Sequence, residues 1–217
     1  MKNVTVIGAT GFVGSQVVKE LLSRGYKVNA LARDTSKLES SDGVFKMNVD
    51  VNDADKLSEA LKGSDAVISA FNAGWTNPTI YDDYTKGAKS IEQAVELSGV
   101  KRFIVVGGAG SLFTPNGTQI VDTPDFPAEI KPGAEAARDY LNEIKKNTIL
   151  DWTFFSPAPE MHQGTSGERK GIYRVGLENP VVDENGRSVL SVEDVAVALV
   201  DELENNSHIK ERFTAAY

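Results

Sequence analysis

Apolar residues fall along this chain in two alternating textures. Short β-branched runs such as Val4, Val6 and Ile7 give way to stretches where apolar residues recur every three or four positions, as at Val17, Val18, Leu21 and Leu22. The first texture predicts strands and the second amphipathic helices. In chain order the pattern predicts a strand at 4–7, a helix at about 12–24, strands at 26–31 and 44–47, a helix at 53–62, a strand at 65–70, a helix at 79–98, a strand at 101–106, a helix at 133–147, a strand at 152–155 and a helix at 192–204. Glu20 and Arg24 form an i, i+4 pair on the first helix, and Gly25, Gly63 and Gly99 stand just past helix ends. Leu57 and Leu61 face inward, and Ser191-Val-Glu-Asp supplies a capped helix start. Residues 171–175 and 180–182 are short strand candidates, and 212–215 reads as a closing edge strand.

Phe103 to Val106 is a nearly continuous apolar run, the mark of a strand covered on both faces. With strand and helix alternating from Val4 to Phe155, the fold class is α/β, a doubly wound parallel sheet whose ligands bind at the carboxyl ends of the strands. No break divides the chain. Residues 1–217 read as a single domain, with a dinucleotide half at about 1–106 and substrate-side loops and C-terminal elements at about 107–217. Residues 107–132 form a long Gly/Pro-rich loop, a length that inside compact domains usually serves function.

Gly8, Gly11 and Gly14 follow the first strand at three-residue spacing and open the first helix. In that context Gly8 turns the chain off the strand, Gly11 leaves no Cβ where a pyrophosphate approaches, and Gly14 lets the helix lie close to the sheet. The helix N-terminus offers free N–H groups to phosphate. Thr10, Phe12 and Val13 complete the expected phosphate site. Arg33 and Asp34 lie nineteen and twenty residues beyond Gly14. An acidic side chain there bonds the ribose hydroxyls of NAD, whereas an arginine meets the 2′-phosphate of NADP. Arg33, with Lys37 as a second positive charge, favours NADP(H) over NAD(H); Asp34 pulls the other way, and Thr35 or Ser36 offers further phosphate donors. Asp50 and Val51 are expected beside adenine, and Ala70, Phe71 and Asn72 beside the nicotinamide ribose.

The chain has 217 residues, 41% hydrophobic and 25% charged, which fits a folded globular protein rather than a disordered one. Its net charge of −8 argues against nucleic acid as a partner. With no cysteine, disulfides, thiolate metal sites and a cysteine nucleophile are excluded, and with only His162 and His208 no metal is expected. No targeting segment and no run of about 18 apolar residues is visible, so a cytoplasmic location without a membrane is expected.

Gly-Ala-Thr-Gly-Phe-Val-Gly at 8–14, Ala-Arg-Asp-Thr-Ser-Lys-Leu at 32–38, Asp-Ala-Val-Ile-Ser-Ala at 65–70 and Val-Val-Gly-Gly-Ala-Gly-Ser-Leu at 105–112 together resemble the atypical short-chain dehydrogenase/reductases with an NAD(P)H-binding fold. Asp-Trp-Thr-Phe-Phe-Ser-Pro at 151–157 and Ser-Val-Glu-Asp-Val-Ala-Val-Ala-Leu at 191–199 extend the resemblance over nearly the whole chain. Among these the sequence is similar to bacterial proteins assigned as NADH-flavin reductases and, more distantly, to biliverdin-IXβ reductase/flavin reductase. The resemblance implies a Rossmann fold that binds a reduced nicotinamide dinucleotide and reduces flavins. It adds Gly107 and Gly108 to the cofactor site and gives Arg33 and Lys37 the 2′-phosphate.

Two departures from the resemblance stand out. The Tyr-x-x-x-Lys pair of many short-chain dehydrogenases is absent: the residues four after Tyr26, Tyr81, Tyr84, Tyr140 and Tyr173 are Ala30, Thr85, Ala88, Ile144 and Leu177. The serine and histidine of the biliverdin-type relatives fall near Gly108 and Pro159, leaving Ser111 and His162 as weak catalytic substitutes. Flavin reduction needs no dedicated acid, because the proton exchanges with solvent; the protein has only to hold two rings in contact. The second ring has Trp75, Phe113, Phe126 and Met161 as candidate walls, with flavin a diffusible substrate rather than a bound cofactor. A non-catalytic NAD(P)-binding sensor of NmrA type is the alternative, and a monomer or a homodimer is compatible with both.

Overall fold

The computed structural model describes residues 2–217. Among the described residues eight strands form one sheet: β1 (Asn3–Ile7), β2 (Lys27–Ala32), β3 (Val44–Asn48), β4 (Ala66–Ser69), β5 (Arg102–Val106), β6 (Asp151–Phe155), β7 (Arg174–Gly176) and β8 (Glu211–Ala216). The order across the sheet is β3-β2-β1-β4-β5-β6-β8-β7. Every pairing is parallel except β7 with β8. The chain runs outward from β1 to β3, then restarts on the other side of β1 with β4. That reversal opens a crevice at the carboxyl ends of β1 and β4.

Among the described residues five α-helices cover the faces: α1 (Phe12–Ser23), α2 (Ala54–Leu61), α3 (Ile80–Ser98), α4 (Lys131–Ile144) and α5 (Val192–Asn205). Side chains alternate across each strand, so one sheet face packs Val4, Val6, Ile104 and Phe155 against α1 and α5, and the other packs Ile7, Val67, Phe103 and Phe154 against α2, α3 and α4. This is the doubly wound α/β architecture expected from the pattern. Leu57 and Leu61 are fully buried, and Ser191 caps α5 by accepting the Asp194 N–H at 3.1 Å.

The C-terminal third departs from the predicted elements. The last strand is not an edge. β8 lies between β6 and β7 with both faces covered, and β7 is the edge strand. Residues 180–182 form no strand, because Pro180 has no N–H to give a ladder and the chain next turns at Asp183, whose N–H bonds the Arg187 carbonyl at 2.8 Å. The candidate at 171–175 forms only as β7, pulled C-terminally by its register with Thr214 to Ala216. The helix expected from 133 begins at Lys131, since Pro132 is welcome in a first turn, and it ends at Ile144 with a tight turn bonding Asn147 N–H to the Ile144 carbonyl at 2.9 Å.

Candidate functional site

The loop from β1 to α1 is built on two close approaches. Gly8 takes a left-handed φ of 78°, and a Cβ on it would lie 2.6 Å from the Ala70 carbonyl oxygen. A Cβ on Gly14 would lie 2.1 Å from the Gly8 carbonyl oxygen, so only glycine lets α1 start this near the turn. Gly11 is different. It is the exposed N-cap of α1, and the one atom near a Cβ there would be the Gly8 oxygen at 3.2 Å, leaving the outward side open. Among the described residues no side chain caps α1, and its first turn carries no acidic residue. The first-turn N–H groups of an α-helix have no partner within the helix. Thr10, Phe12 and Val13 flank this open, electropositive end, Thr10 and Phe12 exposed and Val13 half-buried. A pyrophosphate fits such a cradle.

The loop after β2 engages Asp34 and Thr35 in its own hydrogen bonds. Asp34 accepts the Ser36 N–H at 2.9 Å, which together with nearby Lys37 holds its carboxyl below the usual range. Thr35 gives both its N–H and its hydroxyl to Asn48 Oδ1, at 3.0 and 2.7 Å. Thr35 is therefore bound within the loop, and so is the Ser36 N–H. Arg33 and Lys37 are exposed and make no hydrogen bond or ion pair among the described residues. Asn48, at the end of β3, was not legible as part of this site; its spacing from Thr35 carries no local signal. Asp50 and Val51 follow β3 as a turn in which Asp50 accepts the Asn52 N–H at 2.9 Å and the Val51 carbonyl accepts the Ser90 hydroxyl of α3.

At the crevice floor, the Ala70 N–H bonds the Ile7 carbonyl at 2.9 Å and the Gly107 N–H bonds the Phe155 carbonyl at 2.8 Å, so the exits of β4 and β5 stand level with the glycine turn. Phe71 turns its ring away to stack on Tyr84 at 5.8 Å, leaving its backbone to line the crevice. Asn72 accepts the Gly74 N–H at 2.7 Å. A Cβ on Gly107 would fall 2.0 Å from the Phe154 ring, and one on Gly108 would meet Ala137 at 3.7 Å. Small residues at both exits thus keep the backbone reachable.

Ser111 and His162 do not meet. Ser111 is buried, donating to the Gly108 carbonyl at 3.0 Å and lying 3.0 Å from the Ser156 hydroxyl, while its own carbonyl accepts from buried Arg212 at 2.9 Å. His162 is exposed and caps a short turn, with Nδ1 accepting the Gly164 N–H at 3.1 Å, an arrangement that puts the proton of the neutral ring on Nε2. Arg212 went unread in the sequence because its partner lies about a hundred positions away; it also reaches Glu178 and lies 5.8 Å from the Phe113 ring. Phe113 is further held by backbone N–H to the Glu178 carbonyl, 2.8 Å. Phe126 is half-buried on a stretch with only local turns, Met161 packs half-buried against the α1 side of the core, and Trp75 is exposed.

All six tyrosines are shifted upward in pKa. Burial, aided by Glu204 as acceptor, raises Tyr26; the bond from Tyr81 to Asp139 at 2.7 Å raises Tyr81; burial raises Tyr84 and Tyr140; burial with Asp201 raises Tyr173; burial with Asp194 raises Tyr217. A tyrosine acting as acid next to a carbonyl needs the opposite shift, supplied by a cation.

A groove of about 720 Å³ lies elsewhere, lined by Met47, Val49, Ala60 and Leu97 with charged residues of α2. It holds none of the predicted site residues, and Asp55, Lys56 and Glu59 are exposed on α2, so the crevice where the strand ends and the α1 N-terminus converge is the stronger candidate. Among the described residues no helix is long and apolar enough to cross a membrane, and no group of three or more His, Asp or Glu is placed to hold a metal.

The profile of a family described as NAD(P)H-binding matches residues 8–206. The chain is 35% identical over 213 residues to the uncharacterized protein YwnB of Bacillus subtilis, covering 97% of this chain and 96% of YwnB. A solved Bacteroides thetaiotaomicron structure, described as a putative epimerase, is 44% identical with a TM-score of 0.91, covering 100% of this chain and 97% of that one. A Streptococcus pneumoniae structure, described as a putative NADH-flavin reductase, is 37% identical with a TM-score of 0.84, covering 100% and 99%.

Proposed function

Because the chain belongs to the NAD(P)H-binding family and is thereby an NAD(P)H-binding oxidoreductase at the coarse level, we propose that it reduces a flavin or quinone-like acceptor with NADPH by direct hydride transfer. The observation that carries this reading is the pairing of an open, uncapped α1 N-terminus with six tyrosines, none of them tuned to act as an acid. A simple ketone or aldehyde would leave an alkoxide that needs a proton donor, whereas a reduced quinone leaves a phenolate that solvent can protonate. A flavin takes the hydride at N5 and its proton from solvent at N1, leaving the reduced flavin and the oxidised nucleotide.

When bound, the nicotinamide supplies the hydride. Gly11, Phe12, Val13 and Gly14 would hold the pyrophosphate, with Gly8 and Thr10 shaping the turn. Arg33 and Lys37 would meet the 2′-phosphate, since Asp34 is already turned into its own loop. Asp50 and Val51 would lie along adenine, and Ala70, Phe71, Asn72, Gly107 and Gly108 would keep the nicotinamide ribose against backbone. On the acceptor side Phe113, Phe126 and Met161 offer apolar walls. Ser111 acts in this reading through its grip on the Gly108 carbonyl, and His162 through its exposed Nε2.

The test is nicotinamide absorbance followed with NADPH or NADH, with and without riboflavin, FMN or menadione. Acceptor-dependent oxidation preferring NADPH is the expected outcome. Tight nucleotide binding with no turnover on any acceptor would replace the reductase with a redox-responsive binding protein.

A further inference from the structure

Trp75 differs from the other candidate walls in how it is mounted. Its side chain is 55% exposed, yet the loop that carries it is braced on both sides. Asn72 Oδ1 accepts the Gly74 N–H at 2.7 Å, and the Asn77 N–H bonds the Gly74 carbonyl at 3.0 Å. Asn77 then accepts the Thr79 N–H at 3.0 Å and donates to Asp83 at 2.8 Å, tying the loop to the start of α3.

The indole itself rests on a glycine. A Cβ on Gly133, in the first turn of α4, would lie 2.9 Å from Trp75 Cζ3 and 2.8 Å from Ile80 Cδ1. Glycine is a poor helix former, so its presence there is explained by the ring that fills the space. One edge of the indole is committed to Gly133, and more than half of the side chain's surface is open. A rigid, exposed aromatic surrenders little freedom when a flat ring is laid on it.

Its position matches that use. The loop leaves β4 at Ala70, whose carbonyl abuts Gly8, and α4 is reached from β5 through Gly110, where a Cβ would meet Ala134 at 3.1 Å. Trp75 therefore stands between the β4 exit and the head of α4, at the carboxyl end of the sheet.

We infer that Trp75, seated on Gly133, is the stacking platform for a flat fused-ring acceptor, an isoalloxazine or a naphthoquinone. The inference rests on the reductase reading, but its test separates the two. The chain has two tryptophans, and the other, Trp152, is 2% exposed with its ring N–H bonded to the Asn147 carbonyl. Tryptophan emission thus divides into an exposed reporter at the platform and a buried internal reference.

The experiment titrates that emission with riboflavin, and separately with menadione, in the presence of NADP+ so that no turnover occurs. A saturable quench of the exposed emission is expected; Trp75→Leu, which removes the reporter with the platform, is read instead by the acceptor KM, expected to rise roughly tenfold with NADP+ affinity unchanged. Gly133→Ala, which favours the helix but displaces the ring, is expected to weaken the quench while leaving the fold intact. A quench by riboflavin alone assigns the platform to flavins, and by menadione alone to quinones. A linear, unsaturated quench in the parent, or an unchanged acceptor KM in Trp75→Leu, overturns the platform and leaves the reductase standing. A saturable quench that Gly133→Ala weakens, without turnover on any acceptor, keeps the platform and overturns the reductase.

Discussion

At the scale of single residues, the three glycines of the first turn do different work, and substitution separates them. A side chain at Gly8 or Gly14 collides with backbone, whereas one at Gly11 projects into open space with only the Gly8 oxygen at 3.2 Å. Gly11→Val is therefore expected to abolish nucleotide binding in a calorimetric titration while its far-ultraviolet spectrum and thermal midpoint stay close to the parent's. In the proposed reading Arg33 carries the choice of nucleotide. Its guanidinium is exposed and unengaged among the described residues, and neighbouring Asp34 is satisfied by Ser36. Arg33→Ala is expected to weaken NADPH by about 1–3 kcal/mol and NADH by a few tenths; equal losses for both would remove Arg33 from the 2′-phosphate. The glycine turn and the presence of a charge after β2 could be read from spacing alone, because both are local features. Asn48, which takes up Thr35, could not, and neither could the burial of Ser111 beneath Arg212.

At the scale of elements, α1 is held to the C-terminal part of the chain by charge as well as by packing. Glu20 is buried and accepts from Arg24 at 2.8 Å, the pair its i, i+4 spacing predicts, and also from Arg169 at 2.8 Å, which no spacing foretells. Arg24 extends the network to Asp201 and Glu204 on α5. The bond from Arg169, opposed by burial and reinforced by Arg24, holds the Glu20 carboxyl below its ordinary value. A carboxylate whose folded value is depressed adds stability above its unfolded value, and that stability is lost as the pH falls through the folded value. Between about pH 6 and pH 3, urea unfolding of the parent is thus expected to lose more stability than that of Glu20→Gln, whose profile is flatter in this window. Parallel profiles would show that the network contributes nothing to acid stability. The segment after β6 is pinned in the same way, with the Lys170 and Gly171 N–H groups on buried Asp194 at 3.0 and 2.8 Å. By contrast, residues 123–130 hold themselves only by local turns, such as Phe126 N–H to the Thr123 carbonyl at 3.2 Å.

At the scale of the whole molecule, nucleotide binding and folding are coupled, because the crevice exists only when β1 and β4 are adjacent. Saturation with NADP+ at roughly a hundredfold excess over Kd should add about 2.7 kcal/mol of stability, which for a chain of this size raises the melting midpoint by roughly 5–10 °C. The shift is expected to vanish in Gly11→Val and to shrink in Arg33→Ala, as measured by differential scanning calorimetry. The sequence alone determined the alternation of strand and helix from Val4 to Phe155, the parallel sheet it implies, the glycine turn and the absence of a tyrosine-lysine pair. All of these are written in neighbouring positions, where burial period, turn chemistry and spacing act. What only the tertiary structure decided lies in contacts between distant positions: β8 inserted between β6 and β7, Arg212 under the β5 loop, Arg169 on Glu20 and Trp75 on Gly133. A strand's place in a sheet depends on which neighbours bury its two faces, and a side chain's role on what it meets across the fold, and neither is set by residues a few positions away.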